Sequence, residues 1–130
     1  MTNSIKVYLP LNTWISVRGF TNAAFLQQAC IVNENSNTHV MTGSGEHDAP
    51  MQNGVYAFTT PDTSKNPAGY EVTVSIQTEQ GNQWLPSKLT SGKVSLAYYN
   101  MAMVVSEDAT DNDYNDAVVQ FSWWTQANPR

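Results

Sequence analysis

Residues 72–77 read Val72-Thr73-Val74-Ser75-Ile76-Gln77, an unbroken alternation of apolar β-branched and polar residues. Successive side chains of a strand point to opposite faces. This run therefore puts Val72, Val74 and Ile76 on one face and Thr73, Ser75 and Gln77 on the other. The same period of two recurs in both directions. Toward the N-terminus, Ile5, Val7 and Leu9 alternate with Lys6 and Tyr8. Trp14, Ser16, Arg18 and Phe20 share one side of the next run, with Ile15, Val17 and Gly19 on the other. Toward the C-terminus, Val94, Leu96 and Tyr98 begin a run that continues to Val105. Near the end, Val119, Phe121 and Trp123 oppose Val118, Gln120 and Ser122. Turn-forming residues punctuate these runs at Leu9-Pro10-Leu11-Asn12, Gly43-Ser44-Gly45, Pro61-Asp62, Asn66-Pro67-Ala68-Gly69, Gln80-Gly81-Asn82 and Ser91-Gly92. No stretch reads as a helix of about twelve residues or more. Short strands separated by turns predict an all-β sandwich or barrel. Residues 34–69, rich in Asn, Thr, Gly and Pro, are expected to hold short strands and long loops.

A chain of 130 residues is expected to form one domain, residues 1–130, long enough to bury a core without disulfide staples. Charged residues make up only 13%, about half the usual share, so the polar surface is mostly Asn, Gln, Ser and Thr. The net charge of −5 argues against nucleic acid and against an anionic membrane surface, both of which select basic footprints. The single cysteine, Cys30, excludes an intrachain disulfide and a thiolate zinc cluster, and reads as a buried small hydrophobe. The N-terminal stretch has no apolar core of signal-peptide length, and no apolar run approaches a membrane span. The expectation is a soluble protein, cytoplasmic or exported without a cleaved signal.

One window departs from this low-charge background. Ser106-Glu107-Asp108-Ala109-Thr110-Asp111-Asn112-Asp113-Tyr114-Asn115-Asp116 holds five of the 11 acidic residues, and no Lys or Arg occurs between Lys93 and Arg130. Apolar, strand-like runs flank it, so it connects two core strands and keeps its carboxylates close. Two carboxylates about 5 Å apart repel by roughly 3 kcal/mol at an effective dielectric near 20. Several such pairs weigh heavily on a net stability of about 5–15 kcal/mol. The loop can splay its acids into water, hold some of them protonated, or take up a hard cation. All the donors are oxygens, with Asn112 and Asn115 interleaved, and such a set suits Ca²⁺ over zinc or copper. The window is not an EF-hand. If Asp111, Asp113 and Asn115 stood at loop positions 1, 3 and 5, Asp116 would stand where Gly is required and Ser122 where Glu is required.

The window, with the AVVQFSW run that follows, resembles the signature of the calcium-dependent fucose- and mannose-binding bacterial lectins of the LecB (PA-IIL) type, with Ala109 in place of a Gly. A second block agrees. Leu9-Pro10-Leu11-Asn12-Thr13 and Phe20-Thr21-Asn22-Ala23-Ala24 are similar to that family's LPxNT run and to its FAN run with the loop that follows it. The resemblance implies an antiparallel β-sandwich of about nine strands with jelly-roll or Greek-key-like connections. It also implies two bridged Ca²⁺ ions. Glu107, Asp111, Asp113 and Asp116 would ligate one, and Asp113, Asn115, Asp116 and the backbone carbonyl of Asn22 the other. Monosaccharide hydroxyls would complete the coordination, in contact with Ala23, Ala24, Glu107, Asp108, Asp111 and Asp116. By this resemblance Ala23, at the first position of the specificity loop, favours mannose over or alongside fucose. Phe25 is larger than the small residue expected there and is a candidate secondary contact.

In the family the chain stops soon after the tryptophan matched by Trp123, and its terminal carboxylate reaches a partner subunit's calcium. Here Trp124 to Arg130 continue past that point, so the Arg130 carboxylate is not expected to land there; a homo-oligomer is left possible, with its interface and the completeness of the second calcium site open. His39 and His47 lack metal-ligand spacing and read as surface residues. Trp14, Trp84, Trp123 and Trp124 read as core or edge packing, with an exposed sugar platform as the alternative for one of them. No Ser, His and acid pattern supports a hydrolytic triad. The expected function is carbohydrate binding without catalysis. The competing readings are a calcium-stabilised structural or adhesion module and a glycosidase using two carboxylates of the window.

Overall fold

The computed structural model describes residues 3–107 and 116–125. Among them are eight β-strands and no helix, so no helix is long and apolar enough to cross a membrane. The strands are β1 (Ser4–Leu9), β2 (Trp14–Asn33), β3 (Thr38–Thr59), β4 (Tyr70–Gln80), β5 (Gln83–Pro86), β6 (Lys88–Leu96), β7 (Tyr99–Glu107) and β8 (Ala117–Trp124). The expected all-β antiparallel architecture is present, with eight described strands where about nine were expected. Every pairing is antiparallel, in the order β1-β4-β2-β8-β7-β6, with β3 added on β2 and β5 on β4. The sheet curls until β1 and β6 approach one another, where the Lys93 ammonium donates to the Tyr8 carbonyl at 3.2 Å. It is a nearly closed, barrel-like sheet.

β2 joins the two faces of this curled sheet. Its first part pairs with β8 (Ser16 opposite Ser122, Thr21 opposite Ala117). Its last part pairs with β4 (Gln27 opposite Thr78, Asn33 opposite Val72). β3 follows β2 along both parts, with register shifts between Arg18 and Phe20, Thr21 and Ala23, and Ala23 and Gln27. These irregularities bend the pair and free residues 24–26 from the β3 ladder.

The core is the apolar half of each alternation: Val7 and Leu9, Ile15 and Val17, Ala29 and Ile31, Val72 to Ile76 at every second residue, and Val119, Phe121 and Trp123. In β2 the inward side is the Ile15–Val17–Gly19 side, while Trp14 and Arg18 are exposed.

Four sequence expectations need correction. Residues 34–69 do not consist of short strands, because β3 alone has 22 residues. It is an edge ribbon, mostly exposed, so it carries no apolar alternation to read. Gly43-Ser44-Gly45 and Ser91-Gly92 lie inside β3 and β6 rather than in connections. The run from Val94 to Val105 is two strands. They are joined by Ala97 and Tyr98, with Leu96 paired to Tyr99 and Ala97 at φ 52°, a two-residue hairpin without the usual Asn-Gly signal. Cys30 is only half-buried, because Ala29 and Ile31 take the inward positions on either side of it.

Candidate functional site

The β7–β8 connection begins and ends in buried polar residues. Ser106 is fully buried. Its hydroxyl donates to the Ala117 carbonyl and accepts from the Ala117 N–H, both at 3.0 Å. The Asp116 N–H donates to the Ser106 carbonyl at 3.1 Å. One serine thus closes the mouth of the connection and fixes the separation of its two stems. Glu107, the last residue of β7, is 1% exposed, and Asp116, immediately before β8, is 7% exposed. Burying an ionised carboxylate is costly unless it is paired, hydrogen-bonded or coordinated.

β2 brings the second block to the same place. The Asn22 N–H donates to the Asp116 carbonyl at 3.0 Å, extending the β2–β8 ladder by one rung beyond Thr21 and Ala117. The next residues leave regular pairing. Ala23 is buried, Ala24 is exposed, and Phe25 is 48% exposed, so its ring faces solvent in large part. The structure therefore brings Asn22, Ala23, Glu107 and Asp116 to one end of the sheet, with Ala24 and Phe25 following on the same stretch of β2. Asp108, Asp111, Asp113 and Asn115 lie outside the described residues. Among the described residues no group of three or more His, Cys, Asp or Glu side chains is gathered.

Sequence reading missed one residue here. Asp48, in β3, lies 26 positions from Asn22, yet the two exchange a reciprocal pair of bonds. The Asn22 amide donates to Asp48 Oδ1 at 2.8 Å, and the Asp48 N–H donates to Asn22 Oδ1 at 2.8 Å. His47 and Asp48 both have positive φ, 63° and 56°, which turns the β3 backbone toward β2. The Thr21 hydroxyl adds a bond to the Gly45 carbonyl at 3.1 Å. The bend in β3 thus holds the Asn22 side chain in position. No local motif announces this pairing.

The donor set at this end fits a hard divalent cation. Glu107 and Asp116 would supply carboxylate oxygens and Asn22 a carbonyl, an all-oxygen set.

The chain matches the family model described as fucose-binding lectin II (PA-IIL) over residues 7–125. Among solved structures it is similar to the Ralstonia solanacearum high-affinity mannose-binding lectin. The identity is 33% and the TM-score 0.69, with 93% of this chain and 96% of that one covered. It is also similar to the Chromobacterium violaceum lectin CV2L, solved in complex with alpha-methyl-fucoside, at 28% identity, TM-score 0.69 and the same coverage. The C-terminal domain of the BC2L-C lectin from Burkholderia cenocepacia shares the fold at 22% identity and TM-score 0.66, again covering 93% of this chain and 96% of that one. No curated protein matches the chain. The extent of the family match and the identity to the Ralstonia lectin place this chain in the fucose-binding lectin II (PA-IIL) family, carbohydrate-binding proteins that catalyse no reaction.

Proposed function

We propose that residues 1–130 form one calcium-dependent lectin domain that binds monosaccharides through two bridged Ca²⁺ ions, preferring mannose-type ligands over or alongside fucose. The observation that carries this reading is the convergence of Glu107 and Asp116, both buried, with the Asn22 backbone at the mouth of the acidic connection. Glu107, Asp111, Asp113 and Asp116 would hold one ion. Asp113, Asn115, Asp116 and the Asn22 carbonyl would hold the other, with Asp113 and Asp116 shared. Bound calcium supplies concentrated positive charge and oxygen-accepting positions that sugar hydroxyls can fill. Asp108 would accept a charge-assisted hydrogen bond from a sugar hydroxyl, and Glu107, Asp111 and Asp116 would present further acceptors. Ala23 and Ala24 would bound the sugar. Ala23 offers no hydroxyl to a fucose-type ligand, which supports the mannose preference. Phe25 would flank the next sugar or an aglycone. The Ralstonia relative, described as a mannose-binding lectin, supports the same preference.

Calorimetric titration of methyl α-mannoside, in calcium and again after EDTA, tests the reading, with methyl α-fucoside as comparison. The expected result is binding heat only in calcium, larger in affinity for the mannoside. Absence of heat for both sugars in calcium, with the metal shown to be bound, would leave a calcium-stabilised module and overturn the sugar site.

A further inference from the structure

Where β3 bends, its ladder with β2 is out of step. Thr21 pairs with Ala49 and Ala23 pairs with Gly45, so Glu46, His47 and Asp48 stand opposite the single residue Asn22. All three are exposed. His47 and Asp48 both take left-handed backbone, at φ 63° and 56°, with no glycine to ease it. Such a conformation persists only where its surroundings hold it, and it gathers at sites that clamp something. Here the clamped group is the Asn22 carboxamide. It donates from Nδ2 to Asp48 Oδ1 and accepts at Oδ1 from the Asp48 N–H, both at 2.8 Å. The two bonds run in opposite directions through different atoms, so the carboxamide cannot turn over without losing both.

This clamp reaches the Asn22 carbonyl. The Asn22 N–H is held by the Asp116 carbonyl at 3.0 Å. The clamped carboxamide fixes the direction of Cβ. With N and Cβ held, tetrahedral geometry at Cα fixes the carbonyl carbon. On the far side of the peptide, Ala23 is buried and paired with Gly45, and the Thr21 hydroxyl donates to the Gly45 carbonyl at 3.1 Å. The peptide joining Asn22 to Ala23 is planar, so anchoring both of its ends sets the direction of the Asn22 carbonyl oxygen.

We propose that Asp48 is a positioning residue of the metal site: by clamping the Asn22 carboxamide, it holds the Asn22 carbonyl in the orientation the ion requires before the ion arrives. The inference rests on the calcium reading above and adds to it a residue that acts through Asn22 rather than as a ligand. Ordering a ligand in advance removes the cost of ordering it on binding. Outer partners that orient a metal's ligands contribute about 10–100-fold in metal affinity.

The test titrates calcium alone into the metal-free full chain by calorimetry. Asp48 is exposed, so substitutions there leave the core untouched. Asp48→Ala should weaken calcium binding about tenfold or more. Asp48→Asn keeps an acceptor oxygen and the backbone N–H, and should restore most of the affinity. Asn22→Ala keeps the backbone carbonyl but removes the carboxamide, and should weaken binding to a similar degree. In the Asn22→Ala background, Asp48→Ala should change the affinity by no more than about twofold, because its partner is already gone. A second readout needs no metal. The Ala23 N–H shares the peptide plane of the Asn22 carbonyl. Its NMR order parameter in the metal-free wild-type chain should be that of rigid backbone, about 0.85, and should fall below about 0.6 in Asp48→Ala. Equal calcium affinity in the wild type and Asp48→Ala overturns the proposal and leaves the calcium reading standing. So does an unchanged Ala23 order parameter. An Asp48→Asn variant as weak as Asp48→Ala, or a full loss on adding Asp48→Ala to Asn22→Ala, overturns it too, by assigning the effect to carboxylate charge. A wild-type chain that binds no calcium overturns the calcium reading and this inference with it.

Discussion

The β2–β8 pair ends in two different ways. At one end the Asn22 N–H meets Asp116, with Glu107 beside them, and the carboxylates are buried. At the other end, Trp14 and Trp124 stand open to solvent. An ordinary globular surface would reverse both choices, with charge outside and indole inside. The same ladder therefore carries two local violations of the burial rule, one polar and one apolar. Sites that bind something are where such violations accumulate. The core between them obeys the rule: Val119 and Phe121 are fully buried against Ile15 and Val17. The ladder is a rigid spacer holding two unlike ends apart.

The largest effect should come from breaking that spacer. Phe121→Ala removes a fully buried ring from the middle of β8 and should lower the unfolding free energy by about 3–5 kcal/mol in urea denaturation. A loss below about 1 kcal/mol would mean that the two ends are not held by a common core. A smaller effect, confined to one end, is expected from Asp116→Asn. Calcium at a hundred times its dissociation constant should stabilise the wild-type chain by about 2.7 kcal/mol, seen as a raised thermal midpoint. The variant should show little or none of that rise. A full rise in the variant would remove Asp116 from the ligand set.

The smallest effect sharpens the comparison by supplying a carboxylate that the chain satisfies by itself. Glu34 accepts bonds from the Glu71 N–H at 2.9 Å, the Lys65 N–H at 2.8 Å and the Ser64 hydroxyl at 2.7 Å. The Glu71 backbone bond, then that of Lys65, holds its carboxyl below the usual range. A carboxyl with a lowered folded value contributes stability above its unfolded value and loses it as the pH falls through the folded one. The stability of Glu34→Gln should therefore fall less steeply with acidification than that of the wild-type chain, in urea midpoints compared at neutral pH and near pH 3, and should not respond to calcium. An unchanged acid slope would show that the backbone donors do not favour the ionised form.

Much of this was legible along the chain. The alternation at Val72–Gln77 announced β4, and the same period announced β1, the first part of β2, and β8, because burying one face imposes it. The clustering of acids between two apolar runs singled out the β7–β8 connection before any pairing was known. β3 was not legible. As an edge ribbon it is held mainly by backbone bonds to β2, and backbone bonds leave no trace in composition. Gly54 illustrates the same point. A side chain there would press within 2.6 Å of the Met51 carbonyl and 2.7 Å of the Gly19 carbonyl, a constraint set by packing of β3 on β2 and invisible locally. The Ala97–Tyr98 hairpin escaped notice because neither residue is a turn former, and the pairing of Leu96 with Tyr99 imposes the left-handed backbone instead.

The sequence by itself determined an all-β chain with its main strands, an oxygen-rich acidic connection, and the family signature, because these depend on which residues follow one another. Only the tertiary structure decided that Asn22 would meet Asp116 and Asp48, and that Trp14 and Trp124 would be exposed at the same end of the β2–β8 pair. Those meetings join residues far apart in the chain. They are set by strand register and by the bend in β2 and β3, which arise from closing the sheet around one core rather than from any local pattern.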